Sequence, residues 1–329
     1  MLKDLLDKKQ CFKLVCGAGN EDAIEVEKLT YIYSLAGCPF FDVCAKEEIV
    51  EAAKRGIEKS GIVENRYICT SVGIAGDPHI TKAQIDNSKC SNCGLCFSNC
   101  IHEAIDLNPT KILKERCLGC TVCEKVCPNN AISMVTTIQD YKEILPPIIQ
   151  MGIDCIEFHA ITDNEAEVFE KWEEINEMFD GMLCISIDRS KTGDLKLKER
   201  VQKLLEKRAP YTTIIQADGV AMSGNNDELG TTLQAVATAQ LFQNAKLPAY
   251  IMMSGGTNTK STELASMCGV TINCLAVGSY ARKIIKEYLK EDVFNNKETR
   301  DNAVKIAKNL IETSLRNMRW LASKQKTGK

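Results

Sequence analysis

Eight cysteines between Cys90 and Cys127 constrain this chain more than anything else in it. They read Cys90-Ser-Asn-Cys93-Gly-Leu-Cys96-Phe-Ser-Asn-Cys100, then Cys117-Leu-Gly-Cys120-Thr-Val-Cys123-Glu-Lys-Val-Cys127-Pro128. Each half is C-x2-C-x2-C-x3-C, so the block is an internal repeat. That spacing suits two cubane [4Fe–4S] clusters in a bacterial ferredoxin-like arrangement: three thiolates from one tight turn bind three irons, and the fourth comes from the other half. The expected ligand sets are Cys90, Cys93, Cys96 and Cys127 for one cluster, and Cys117, Cys120, Cys123 and Cys100 for the other. Gly94 and Gly119 let backbone amides approach the sulfurs. C-x2-C is also a zinc spacing, but a zinc site takes four ligands and has no use for the doubled repeat. Ile101 follows Cys100 where proline follows Cys127, which predicts a looser, more solvated turn around the second cluster.

The chain has 17 cysteines in 329 residues. In a small secreted domain that count would mean disulfides. Here the start, Met1 to Gln10, carries charges at Lys3, Asp4, Asp7, Lys8 and Lys9 and no apolar run, which argues against an export signal. No stretch approaches the roughly 18 to 20 apolar residues of a membrane span. A net charge of -3 and a pI near 5.8 give no electrostatic reason to expect nucleic acid. The expectation is a soluble cytoplasmic protein with neither a nucleic-acid nor a membrane partner.

Outside the cysteine block, short β-branched runs alternate with longer amphipathic ones. Strands are expected at Phe12–Cys16, Phe40–Cys44, Tyr67–Val72, Cys155–Phe158, Leu183–Ile187, Thr212–Gln216, Ala249–Met253 and Ile272–Val277. A helical pattern follows each one, after the cysteine block in the third case. Eight βα units predict an α/β chain folded as a (β/α)8 TIM-type barrel, with an open doubly wound sheet as the alternative. The expected organisation is barrel over 1–85, ferredoxin-like insertion over 86–133, barrel again over 134–292, and a C-terminal helix and tail over 293–329. The insertion follows the third strand directly. It therefore leaves the barrel at the carboxyl ends of the strands, where these barrels place their sites.

Two turns at that face are rich in glycine: Ser254-Gly255-Gly256-Thr257 after strand seven, and Gly278-Ser279 after strand eight. Amides at neighbouring helix N-termini make an anion site. Gly255, Gly256, Gly278 and Ser279 are thus candidates for holding a phosphate, and FMN beside the clusters would make chemical sense. The same glycines also suit plain βα corners. Other polar residues at strand ends are Asp42, His159, Asp188, Arg189, Asp218 and Ser223. Of these, His159 and Asp218 are the catalytic candidates, although a lone histidine also serves as a structural group and Asp218-Gly219 as a turn. Cys16 and Cys44 have no histidine nearby in sequence and read as small barrel fillers.

Seven stretches spread along the chain are distinctive: Lys13–Asn20, Ala75-Gly-Asp-Pro-His-Ile-Thr-Lys-Ala83, Ile156–His159, Ala217–Gly224, Gly230–Thr232, Ser254–Asn258 and Gly278–Arg282. On these the chain resembles the cyanobacterial light-dependent period protein (LdpA) family of iron–sulfur proteins. The resemblance implies two Fe–S clusters, a redox-sensing role and association with clock components. Three function classes follow: a redox sensor or electron carrier using the barrel as a platform, a flavin- or phosphate-ligand oxidoreductase fed by the clusters, and a structural protein stapled by them. The partner expected for the first two is a redox donor or acceptor protein or a small electron carrier, with regulatory protein partners implied by the resemblance.

Overall fold

The computed structural model describes residues 1–219 and 228–327. In chain order it contains α1 (Leu2–Asp7), β1 (Cys11–Gly17), α2 (Ala23–Leu35), β2 (Phe40–Cys44), α3 (Glu47–Lys59) and β3 (Tyr67–Gly73). A 3-10 turn at Pro78–Ile80 leads into β4 (Thr81–Ile85), α4 (Leu95–Ser98), β5 (Ile105–Leu107), β6 (Thr110–Ile112), α5 (Val122–Lys125) and β7 (Ile132–Thr136). Then come α6 (Tyr141–Gln150), β8 (Cys155–His159), α7 (Glu165–Met178), β9 (Met182–Ile187), α8 (Asp194–Leu205) and β10 (Thr213–Asp218). The chain finishes with α9 (Glu228–Ala245), β11 (Tyr250–Ser254), α10 (Ser261–Met267), β12 (Cys274–Val277), α11 (Ser279–Leu289) and α12 (Lys297–Thr327).

Strands β1, β2, β3, β8, β9, β10, β11 and β12 close in that order into a parallel barrel. The expected TIM-type architecture is therefore the one formed, and the open sheet is not. Strand parity explains how it packs, because successive side chains on a strand point to opposite faces. In β8, Ile156 and Phe158 pack outward under the helices, while Cys155 lies in the inner core and Glu157 and His159 share its parity. In β1, Phe12 and Leu14 pack outward and Cys11 inward, with Lys13 on the inner parity.

The N-terminal end of the lumen is filled by Cys11, Phe40, Cys69, Cys155, Cys184 and Cys274, with Leu2 and Leu6 of α1 pressed in from below. The charged start of the chain thus hides an amphipathic plug, which its polar composition obscures. Tyr250 secures that plug with a hydroxyl donated to Asp7 at 2.5 Å. The last helix takes up most of the expected C-terminal helix and tail, and Ala303, Ala307, Leu310, Ile311 and Met318 bury one stripe of it. No described helix is long and apolar enough to cross a membrane.

The cysteine block hangs on an antiparallel ribbon in which Thr81–Ile85 pairs with Ile132–Thr136. Several contacts fasten the block to the barrel mouth, among them those of Lys82, Arg116 and Lys286. Lys82 Nζ donates to Gly19 O at 2.6 Å and Cys117 O at 2.7 Å. Arg116 Nε donates to Asp22 Oδ2 at 3.1 Å. Lys286 of α11 pairs with Glu103 at 2.8 Å.

Candidate metal centres and a charged barrel lumen

The two halves of the cysteine block repeat at a constant 27-residue offset, as from Cys90 to Cys117. Their backbones repeat with it. Positive φ occurs at Asn92 and Gly119, at Gly94 and Thr121, and at Glu103 and Asn130, each pair one offset apart. Left-handed residues reverse the chain tightly, so each half curls its first three cysteines around one point. Cys90, Cys93, Cys96 and Cys127 line one cavity, walled by Ile85 and Ile132. Cys100, Cys117, Cys120 and Cys123 line a second, walled by Ala83, Ile105 and Met134.

Backbone amides already point at these sulfurs. Ala131 N–H donates to Cys127 Sγ, Ala104 N–H to Cys100 Sγ, and Ala83 N–H to Cys117 Sγ, each at 3.3 Å. Such donors stabilise negative charge on sulfur and tune a cluster's potential. The proline-free turn at Cys100 makes the same bond as the turn at Cys127, so Ile101 does not loosen it in the way its sequence context suggests. Burial first, and then the neighbouring thiols, push Cys123 up to about 12. Four thiolates gathered in one apolar pocket need a cation to offset their charge, and an all-sulfur donor set suits an iron–sulfur cluster or zinc.

Beneath this module the barrel lumen holds a buried polar network. Lys13 Nζ pairs closely with Glu157 and lies 3.5 Å from Asp42 Oδ1. His159 links Glu157 Oε1 through Nε2 at 3.0 Å and Asp77 Oδ2 through Nδ1 at 2.8 Å. Gln216 donates to Glu157 Oε1 at 2.7 Å and to Asp218 Oδ2 at 3.3 Å, and Ser186 donates to the same Asp218 oxygen. Burial works against the charged forms of Lys13 and His159. For Lys13, the Asp42 and Glu157 carboxylates outweigh it, and for His159 the Asp77 and Glu157 carboxylates do, so both are held protonated well above their ordinary ranges. Asp42 Oδ2 is buried and has no hydrogen-bond partner among the described residues.

Asp218 differs from its neighbours. Burial and the nearby Glu157 charge push its carboxyl up to about 7. A group whose folded pKa lies above its unfolded value near 3.8 loses stability as pH rises between the two, because the folded state binds the extra proton there. Asp218→Asn should therefore gain about 2 kcal/mol relative to wild type between pH 5.5 and pH 8. Thermal unfolding of both proteins across that window measures it. A difference independent of pH would mean that Asp218 does not titrate near neutrality.

The family model for the light dependent period A C-terminal domain matches residues 147–323, more than half of the chain. The chain belongs to the light dependent period A family. A 4Fe-4S dicluster domain model matches residues 83–134, over the cysteine block and its ribbon. The chain is 28% identical over 294 residues to Light dependent period A of Synechococcus elongatus, covering 85% of this chain and 82% of that protein. It is an iron–sulfur protein of that family. Among solved structures, the tryptophan synthase alpha subunit of Legionella pneumophila is similar with a TM-score of 0.47 and 11% identity, over 96% of this chain and 97% of the other. The geranylgeranylglyceryl phosphate synthase of Thermoplasma acidophilum is similar with a TM-score of 0.42 and 10% identity, over 96% and 98%.

In this family member the residues singled out from sequence fall in three places. His159, Asp42 and Asp218 enter the lumen network. Asp188 and Arg189 turn outward: Asp188 binds Ser190 in its own loop, and Arg189 pairs with Asp194 at 2.7 Å at the start of α8. Ser223 lies outside the described residues. Cys16 and Cys44 are buried and their thiols are pushed up chiefly by burial, as fillers are.

Of the mouth glycines, Gly255 packs on Gly219, whose own Cβ would lie 2.3 Å from Gly255 O. Gly256 has φ +84, and its carbonyl accepts from Thr232. Helix α10 begins only at Ser261, beyond the Gly255-Gly256 turn, and the Asn258 amide is already bonded to Ser261 Oγ. Gly278 caps α11, with Ser279 as its first residue. Sequence reading missed Lys13, Glu157, Gln216, Asp77 and His79. Parity could have found the first three, since each sits on the inward phase of a strand whose outward phase is apolar.

Proposed function

We propose that the module carries two [4Fe–4S] clusters with crossed ligation, and that the chain transfers or senses electrons through them. One cluster would rest on Cys90, Cys93, Cys96 and Cys127, and the other on Cys100, Cys117, Cys120 and Cys123. The observation that carries the reading is that each cysteine quartet draws three members from one half of the repeat and one from the other, around its own apolar-walled cavity. A cluster in each cavity would supply one-electron exchange. The chain's own contribution is the thiolate set, the three N–H donors and the exclusion of water. Cys93 is exposed, as are Leu95 and Phe97 near it, which marks the first quartet as the side where a redox partner exchanges electrons. Family membership adds the proposal that the redox state is read by regulatory protein partners.

Anaerobically purified protein should contain about eight irons and eight sulfides per chain, the content of two cubanes. Four of each would leave one cluster and overturn the crossed pair. The alternative is an oxidoreductase binding FMN or another phosphate ligand at Gly255, Gly256, Gly278 and Ser279, with His159 or Asp218 as catalytic group. Acid release of cofactors distinguishes the two: the sensor or carrier reading expects no flavin in the supernatant, and stoichiometric FMN there would select the oxidoreductase.

A further inference from the structure

The chain has three histidines, and two of them meet at one buried carboxylate. Asp77 Oδ1 lies 2.8 Å from His79 Nδ1, and Asp77 Oδ2 lies 2.8 Å from His159 Nδ1. The two imidazole centroids are 4.5 Å apart. The three ligand atoms all fall within 4.8 Å of one another. We propose that Asp77, His79 and His159 bind a single divalent transition-metal ion of borderline softness, such as Zn2+ or Fe2+, between the barrel mouth and the iron–sulfur module.

Four observations carry this. The donor set is two imidazoles and a carboxylate, the combination that suits zinc and non-haem iron while leaving positions open for water or substrate. Supporting contacts are already in place, because a histidine ligand generally gives its other ring nitrogen to a carboxylate. His159 does so with Nε2 on Glu157, and Glu157 is fixed in turn by Lys13 and Gln216. Backbone space has been cleared for the trio as well. A side chain at Gly73 would place its Cβ 2.0 Å from Asp77 Oδ2, and one at Gly19 would lie 2.7 Å from His79 O.

Charge balance is the fourth. Asp77 and Glu157 are buried carboxylates bonded to the same imidazole, and Lys13 stands against Glu157 and Asp42 but not against Asp77. A divalent ion beside Asp77 supplies the fixed positive charge that this carboxylate otherwise draws only from the two histidines. On binding, the ion replaces the proton on His159 Nδ1, and Nε2–H stays on Glu157. Nothing in the cluster chemistry uses these residues, so the site stands whether the module holds one cluster or two.

The test uses anaerobic holoprotein treated with a chelator under conditions that leave its iron and sulfide unchanged, then titrated calorimetrically with Zn2+. Wild type is expected to bind one Zn2+ per chain. His79 is 40% exposed in its side chain, so His79→Ala should fold normally. Asp77→Asn keeps the side chain's size. Both should bind Zn2+ more weakly by more than the roughly 10–100-fold that losing a supporting group costs, with iron, sulfide and cluster absorption as in wild type. Wild type that binds no Zn2+, or two variants that bind it as tightly as wild type, would overturn the site and leave the trio as an ion-paired clasp.

Discussion

Replacing Lys13 with methionine is expected to destabilise the protein by about 3–5 kcal/mol, the usual cost of removing one partner from a buried ion pair. Lys13 is fully buried in the lumen and faces Glu157 and Asp42, with no water-exposed side to which either carboxylate can turn. Methionine fills the same space, so the loss measures charge rather than volume. At about 2–4 °C per kcal/mol for domains of 150–250 residues, the melting temperature should fall on the order of 10 °C. Adding Glu157→Gln should return much of that loss by neutralising the carboxylate left unpaired. A Lys13→Met protein melting within about 2 °C of wild type would show that these carboxylates are not ionised in the fold.

The second large effect concerns which cysteines share a cluster. Cys127→Ala alone should halve the iron from about eight to about four per chain. Its combination with a second substitution decides the pairing, because residues that act in one unit are not additive. Cys93→Ala with Cys127→Ala removes two ligands of one proposed cluster, so about four irons should remain. Cys120→Ala with Cys127→Ala removes one ligand from each, so almost none should. The reverse pattern, iron kept in the Cys120/Cys127 variant and lost in the Cys93/Cys127 one, would mean that each half of the repeat holds its own cluster. Iron and sulfide analysis with the reduced-state electron paramagnetic resonance spectrum reads all three variants.

Much of the barrel was legible in the sequence because βα units leave local signals. The run Phe40–Cys44 was placed to the residue, and the other strands differ by a few residues at their ends. The cysteine repeat was equally plain, since cluster spacing is a constraint between near neighbours in the chain. The lumen was legible only in part. His159, Asp42 and Asp218 were noticed at strand ends, while Lys13 and Glu157 sat unnoticed mid-strand among apolar neighbours. Their inward phase was in the sequence, opposite the apolar positions of each strand, but which groups meet across the lumen is fixed only when the barrel closes.

The eight-unit alternation, the position of the insertion after the third strand and the doubled cysteine spacing are all written in the linear pattern of residues. These rest on periodicity and local turn geometry, which act over a few residues. Tertiary structure decided what a linear pattern cannot carry. It brought Asp77 across to His159, 82 positions along the chain, and Lys13 to Glu157, 144 positions along. It gave Gly19 its purpose, since the space that it leaves is taken up by the distant His79 backbone. It also turned the charged N-terminus into a plug, because Leu2 and Leu6 have something to bury only once eight strands have enclosed a lumen.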